Sequence, residues 1–160
     1  MHKKAMIFVI TAIIIIAAIL VCVIPRFTGV DATLQATKFN NRGESVGAHD
    51  IVLSGNRLDY LFSDTALELS VSAFDILRDF VVETELKTAS GGEMFYVLYS
   101  AVNTAKDDVD VIRVGFSPDM DRWVFVNDTD QVYYVASVSG DYSAEELVEY
   151  FRPLIPANWR

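Results

Sequence analysis

The sequence predicts an α+β fold, mainly antiparallel β: one N-terminal transmembrane helix, then a compact β-rich domain with a short C-terminal helix. Three observations carry this. Residues 5–24 form an unbroken apolar run. The segments after it mostly repeat apolar residues with period two, separated by Gly, Asn and Asp clusters. One segment near the C-terminus has the spacing of a helical capping box.

Size and composition bound the rest. At 160 residues and 17.9 kDa the chain holds one domain of ordinary size. It is 52% hydrophobic and 22% charged, with a mean hydropathy of +0.29, which excludes a disordered chain. A single Cys excludes an internal disulfide framework. The first thirty residues hold Lys3, Lys4 and Arg26 and no acid. The remainder holds ten Lys+Arg against 22 Asp+Glu, a balance of −12. A domain so acidic repels phosphates, so nucleic acid is not an expected partner.

Within Ala5–Ile24 only Thr11 is clearly polar, and its hydroxyl can return to a carbonyl one turn back. Twenty residues at about 1.5 Å each span about 30 Å, the thickness of a hydrocarbon core. A soluble core helix would carry a polar stripe, and this segment has none. The run exceeds a cleavable signal's apolar stretch, and Val21 before Cys22 is too large for a lipoprotein site. The expectation is a retained signal anchor. His2, Lys3 and Lys4 precede the span and Arg26 alone follows it, which places the N-terminus in the cytoplasm. The expected division is a cytoplasmic tail (1–4), the anchor in the cell membrane (5–24), a juxtamembrane connector (25–30) and an extracytoplasmic domain (31–160).

In that domain Asp31–Phe39 alternates Ala32, Leu34 and Ala36 with Thr33, Gln35 and Thr37. Asn40-Asn41-Arg42-Gly43 is a turn cluster, Gly47 marks a break, and Ser54-Gly55-Asn56-Arg57 has the composition of a hairpin turn. Phe80–Lys87 and Met94–Ala101 flank the turn at 89–92. Val109–Phe116 is apolar on both faces, as a central strand would be, and Ser117-Pro118-Asp119 stops it. Trp123–Val126 and Val132–Val138 flank Asp128-Thr129-Asp130. Tyr133, Val135 and Ser137 fall on one face of their strand, with Tyr134, Ala136 and Val138 on the other.

Residues 64–83 satisfy two periods. Leu67, Leu69, Val71 and Ala73 alternate, whereas Glu68, Ser72, Asp75, Asp79 and Glu83 line one face of a helix that Asp64 would cap. The β-branched and hydroxyl residues favour strand to Ala73, a break near Asp75 and strand again from Phe80. An additional helix within 64–83 is the alternative. The C-terminal helix is less ambiguous. Ser143 is its N-cap, Glu146 completes the capping box, and Leu147, Val148, Phe151 and Leu154 form the apolar stripe that covers the sheet. Pro153 stops it.

For chemistry the sequence offers few candidates. His49 beside Asp50 is the one ectodomain histidine, and no Gly-x-Ser-x-Gly elbow accompanies it. Cys22 lies inside the apolar run. The carboxylates are abundant, but none is marked as half of an acid–base pair. Asp107, Asp108 and Asp110, then Asp119 and Asp121, then Asp128 and Asp130 are oxygen-rich clusters of the kind Ca²⁺ prefers, though without EF-hand spacing. Asn127-Asp128-Thr129 matches a glycosylation sequon. There is no P-loop and no Gly-x-Gly-x-x-Gly, so no cofactor is expected and no catalytic, cofactor or metal residue is assigned. Tyr96, Tyr99, Trp123, Tyr133, Tyr134 and Trp159 serve either the core or a contact surface. The expected function is a non-catalytic interaction or sensing module at the membrane, with a protein partner. The alternatives are a hydrolase using His49 and a Ca-binding sensor using the Asp loops.

Overall fold

The computed structural model describes residues 2–61, 66–73, 77–85, 87–89, 94–103 and 108–159. Helix α1 (His2–Val23) is the apolar run. Thr11 donates its hydroxyl to the Ile7 carbonyl at 2.9 Å, so the one polar side chain is satisfied within the helix. Pro25 has no N–H to continue the ladder, and the chain turns directly into a strand. None of Met6–Val23 is buried against the rest of the protein, and Phe8 is 76% exposed.

Nine strands follow among the described residues: β1 (Arg26–Asn40), β2 (Ser45–Asp59), β3 (Ala66–Ala73), β4 (Leu77–Glu85), β5 (Lys87–Ala89), β6 (Met94–Asn103), β7 (Asp108–Phe116), β8 (Arg122–Asn127) and β9 (Val132–Ser137). They form one antiparallel sheet in the order β4-β3-β2-β1-β9-β8-β7-β6-β5. Only one residue separates β4 from β5, the two ends of this order, so chain connectivity curls the sheet until β4 approaches β6. The registers show the stagger that such curling demands. A path from Phe27 passes Leu58, Ala66 and Glu85. Two residues further along the chain, Lys87 continues it through Tyr96, Gly115, Val124 and Val135, back to β1 at Thr37 rather than at Phe27.

The pleat sends alternate residues into and out of this curl. Leu34, Ile51, Leu69, Val97, Val114 and Phe125 are among those that fill the interior. A run of aromatics crosses it: Phe95, Phe116, Trp123 and Phe125, with successive ring centroids 5.7, 4.9 and 6.1 Å apart. The Trp123 indole N–H donates to the Met120 carbonyl at 2.7 Å, which satisfies its one polar group. On the outer face Val124, Val126, Tyr133 and Val135 lie under Leu147, Phe151, Leu154 and Ile155. Those last residues come from α2 (Ala144–Tyr150) and the chain just after it.

The expected hairpins at 40–43 and 128–130 are shown by their flanking registers. The strand expected over Phe80–Lys87 does not pair with Met94–Ala101 as a whole: to Glu85 it belongs to β4 and pairs with β3, and only β5 pairs with β6, with residues 90–93 outside those described. β7 is central, between β6 and β8. The capping box forms in both directions: Ser143 Oγ accepts from Glu146 N at 3.3 Å, and Glu146 Oε2 accepts from Ser143 N at 2.8 Å.

Several expectations are corrected. The described part of 64–83 is strand, β3 and β4, and not an additional helix; Asp64 and Asp75 lie outside the described residues. Alternation prevails there because β3 is bonded on both sides and buries Leu67, Leu69 and Val71 on one face. Ser54–Arg57 is not a turn but the interior of β2. Gly55 serves close approach instead: a Cβ there would stand 2.1 Å from the Glu68 carbonyl oxygen on β3. At Gly47 the strand does not break. It bulges, with Lys38 opposite Gly47, Phe39 opposite Ser45, and Val46 unpaired between them. Residues 26–30, expected as connector, already belong to β1.

Candidate binding site

The outer face carries an open cleft of about 780 Å³ between α2 and the β1–β2 turn. Local chemistry fixes both walls. In the turn, Asn40 Oδ1 accepts from the backbone N–H groups of Arg42 at 2.9 Å and Glu44 at 3.0 Å, and Gly43 takes φ +72°. Asn41 then donates to Gln131 at 2.6 Å, which ties the turn to the start of β9.

The opposite wall is held by two arginines. Arg122 lies over the Tyr150 ring at 3.7 Å and the Tyr142 ring at 5.1 Å, and its buried Nε has no hydrogen-bond acceptor. Ring faces attract the cation there in place of an acceptor. Arg113 donates to the Leu154 carbonyl and pairs with Asp128 at 3.2 Å.

Phe39, Tyr133 and Trp159 form the aromatic floor. The first two stack at 5.1 Å and the next pair at 6.4 Å. Arg42 and Gly43 line the turn side, and Glu145, Val148, Glu149 and Arg152 line the helix side. Arg152 and Glu149 are 3.4 Å apart on the exposed helix surface, where such a pair contributes little. Burial pushes the Tyr133 phenol above its ordinary pKa, and the positive charge of Arg152 pulls it partly back. Tyr133 is 2% exposed and lines the cleft, and its hydroxyl makes no hydrogen bond among the described residues. The cleft lining thus holds an unused donor group. Arg42 and Glu145 make no side-chain ion pair among the described residues.

Tyr133 and Trp159, singled out from the sequence, lie in this cleft, whereas the candidate catalytic and cation-binding residues lie elsewhere. His49 points into the curl, half-buried, edge-on to Tyr134 at 5.6 Å, and Lys38 Nζ stands 5.5 Å from the same ring. Asp50, the next residue on the strand, faces the opposite side, so its carboxylate does not converge with His49.

Each described Asp cluster closes a turn. Asp119 accepts from the Ser117 hydroxyl, and that bond holds its carboxyl below the ordinary range. Burial opposes the shift, while the Asp121 N–H and the Arg122 charge reinforce it. Asp121 accepts from Ser139 N at 2.8 Å and Ser139 Oγ at 2.9 Å. Asp128 pairs with Arg113, and Asp130 N donates to Asn127 Oδ1 at 3.0 Å. Asp107 and the side chains of Asp108 and Asp110 lie outside the described residues. Among the described residues no three His, Cys, Asp or Glu groups gather as a metal site. Asn127, the sequon residue, is 1% exposed and spends its amide on the Asp130 turn, which leaves no room for a glycan.

Trp123 and Tyr134 belong to the interior, Tyr96 packs on the outer cluster, and Trp159 is 6% exposed against Tyr133. The Tyr99 side chain lies outside the described residues. Sequence reasoning missed Phe39, Arg42, Glu145, Glu149 and Arg152 as neighbours, because over a hundred residues separate the turn from the helix. The only local signal was the Asn-Asn-Arg-Gly turn, which displays an arginine without saying toward what.

Fold and cleft together define a curled antiparallel sheet that follows an exposed apolar helix and carries an open cleft on its outer face. Comparison with protein-family models, with curated proteins and with solved structures gave no match.

Proposed function

We propose that this chain is a single-pass membrane protein with a cytoplasmic N-terminus, whose extracytoplasmic sheet domain is a non-catalytic binding module. One observation carries the reading: α1 leaves its apolar side chains uncovered along its whole length and passes through Pro25 straight into β1. A helix satisfies its own backbone and so tolerates lipid on every side. Uncovered in water, the same surface would be a strong aggregation patch. The short passage from α1 to β1 keeps the domain close to the bilayer and raises its effective concentration toward membrane partners. The cleft beside α2 is the contact site of this module.

The test is topology in intact cells, with Cys22→Ser as background and single cysteines placed at His2 or Ser45. A membrane-impermeant maleimide labels position 45 and not position 2, and the protein stays in the pellet after alkaline extraction. Labelling of position 2 alone, or release into the aqueous fraction with the helix intact, overturns the reading. Photo-crosslinking from Arg42 in those membranes then yields a discrete adduct. A smear no different from one at exposed Val52, on the surface of β2, counts against a dedicated contact site.

A further inference from the structure

The cleft lining has three parts that match three parts of one ligand class. Two of the ten Lys+Arg residues of a domain at −12 stand here, Arg42 and Arg152, so the cleft does not share the anion-repelling character of the whole. Glu145 and Glu149 line the helix side with Arg152, across from Arg42 on the turn. Phe39 and Trp159 supply an apolar floor, and Tyr133 between them is almost fully buried, lines the cleft and makes no hydrogen bond through its hydroxyl among the described residues. A buried side chain that leaves a donor unused favours a ligand that brings an acceptor.

Position argues for a ligand from water and not from lipid. β1 starts beside α1 and reaches the cleft only at its far end, after a strand path of roughly 50 Å. The volume of about 780 Å³ lies within the range of small-molecule sites.

We propose that this cleft binds a small zwitterion with an apolar body, of the amino-acid class. Its carboxylate meets Arg42 and the Tyr133 hydroxyl, its ammonium meets Glu145 and Glu149, and its side chain lies on Phe39 and Trp159. The inference rests on the binding-module reading and adds the ligand to it. The alternative source of the same carboxylate is a peptide C-terminus, which lacks the adjacent ammonium.

The test is calorimetric titration of the full chain in detergent micelles with L-leucine or L-phenylalanine, N-acetyl-leucine and leucinamide. Saturable binding of the free amino acids is expected, with both blocked forms at least about tenfold weaker. Tyr133→Phe and Arg42→Gln each weaken the amino acid by about tenfold, the scale of one charge-assisted hydrogen bond. Glu145→Gln weakens it without further weakening N-acetyl-leucine. An unchanged urea midpoint for Tyr133→Phe separates lost recognition from lost folding. N-acetyl-leucine binding as well as leucine overturns the zwitterion in favour of a peptide end. No binding of any form in the millimolar range overturns the ligand assignment, while the topology experiment judges the tethered module separately.

Discussion

The helix α1 and the strand β8 are both apolar on every side, and they meet opposite environments. α1 exposes its side chains all round. In β8, Trp123 and Phe125 fill the interior while Val124 and Val126 lie under the C-terminal segment, so both faces are covered. The difference is in the backbone. A helix bonds to itself and is free to leave the protein for lipid, whereas a strand needs neighbours and is drawn into the sheet. Apolar content therefore states that a segment avoids water; its hydrogen-bonding period decides where it goes.

The comparison breaks most sharply at Trp123. Trp123→Ala empties the centre of the aromatic run and is expected to cost about 3–5 kcal/mol, read as a lower urea midpoint of the full chain in micelles. A loss below about 1 kcal/mol would mean the interior is not packed as described. Next comes Ile14→Lys, which puts a charge mid-span at about 2.5–3.5 kcal/mol on an insertion scale. Its expected signature is a larger share released by alkaline extraction, with the sheet domain's urea midpoint unchanged. If the midpoint falls as well, α1 packs on the domain and is not an independent span.

Ser143→Ala removes the capping box and should cost about 1 kcal/mol, loosening α2 from the outer face before the interior responds. Near-ultraviolet signals of Trp159 and Trp123, separated by single Trp→Phe variants, report which layer moves first. The smallest effect is expected at Asp119. Its carboxyl is held below the ordinary aspartate range, so its contribution is complete above the unfolded value of about 3.9 and fades as pH falls through the lower folded value. Ser117→Ala, which removes the leading cause, should flatten that acid limb of the stability curve. A limb identical to the parent's would assign it to other carboxylates.

The local signals were legible where one periodicity stood alone. The alternation of Tyr133, Val135 and Ser137 against Tyr134 and Ala136 gave the two faces of β9 correctly, and Ser143 with Glu146 gave the start of α2. Gly55 was misread because glycine has two uses. It accepts the backbone of a turn, and it lets another chain come close; only the nearness of the Glu68 carbonyl on β3 distinguishes them. Residues 66–73 carried both periods, and pairing with β2 and β4 selected one.

By itself the sequence determined the apolar span, the acidic β-rich remainder and its C-terminal helix, because each follows from the order of side chains along a few turns or a few pleats. Only the tertiary structure decided that the sheet curls, and that Arg42 faces Glu145 across an aromatic floor. Those facts depend on register and on closure between residues far apart in the chain. A site assembled from a turn, two strands and a helix is written in no single stretch of residues.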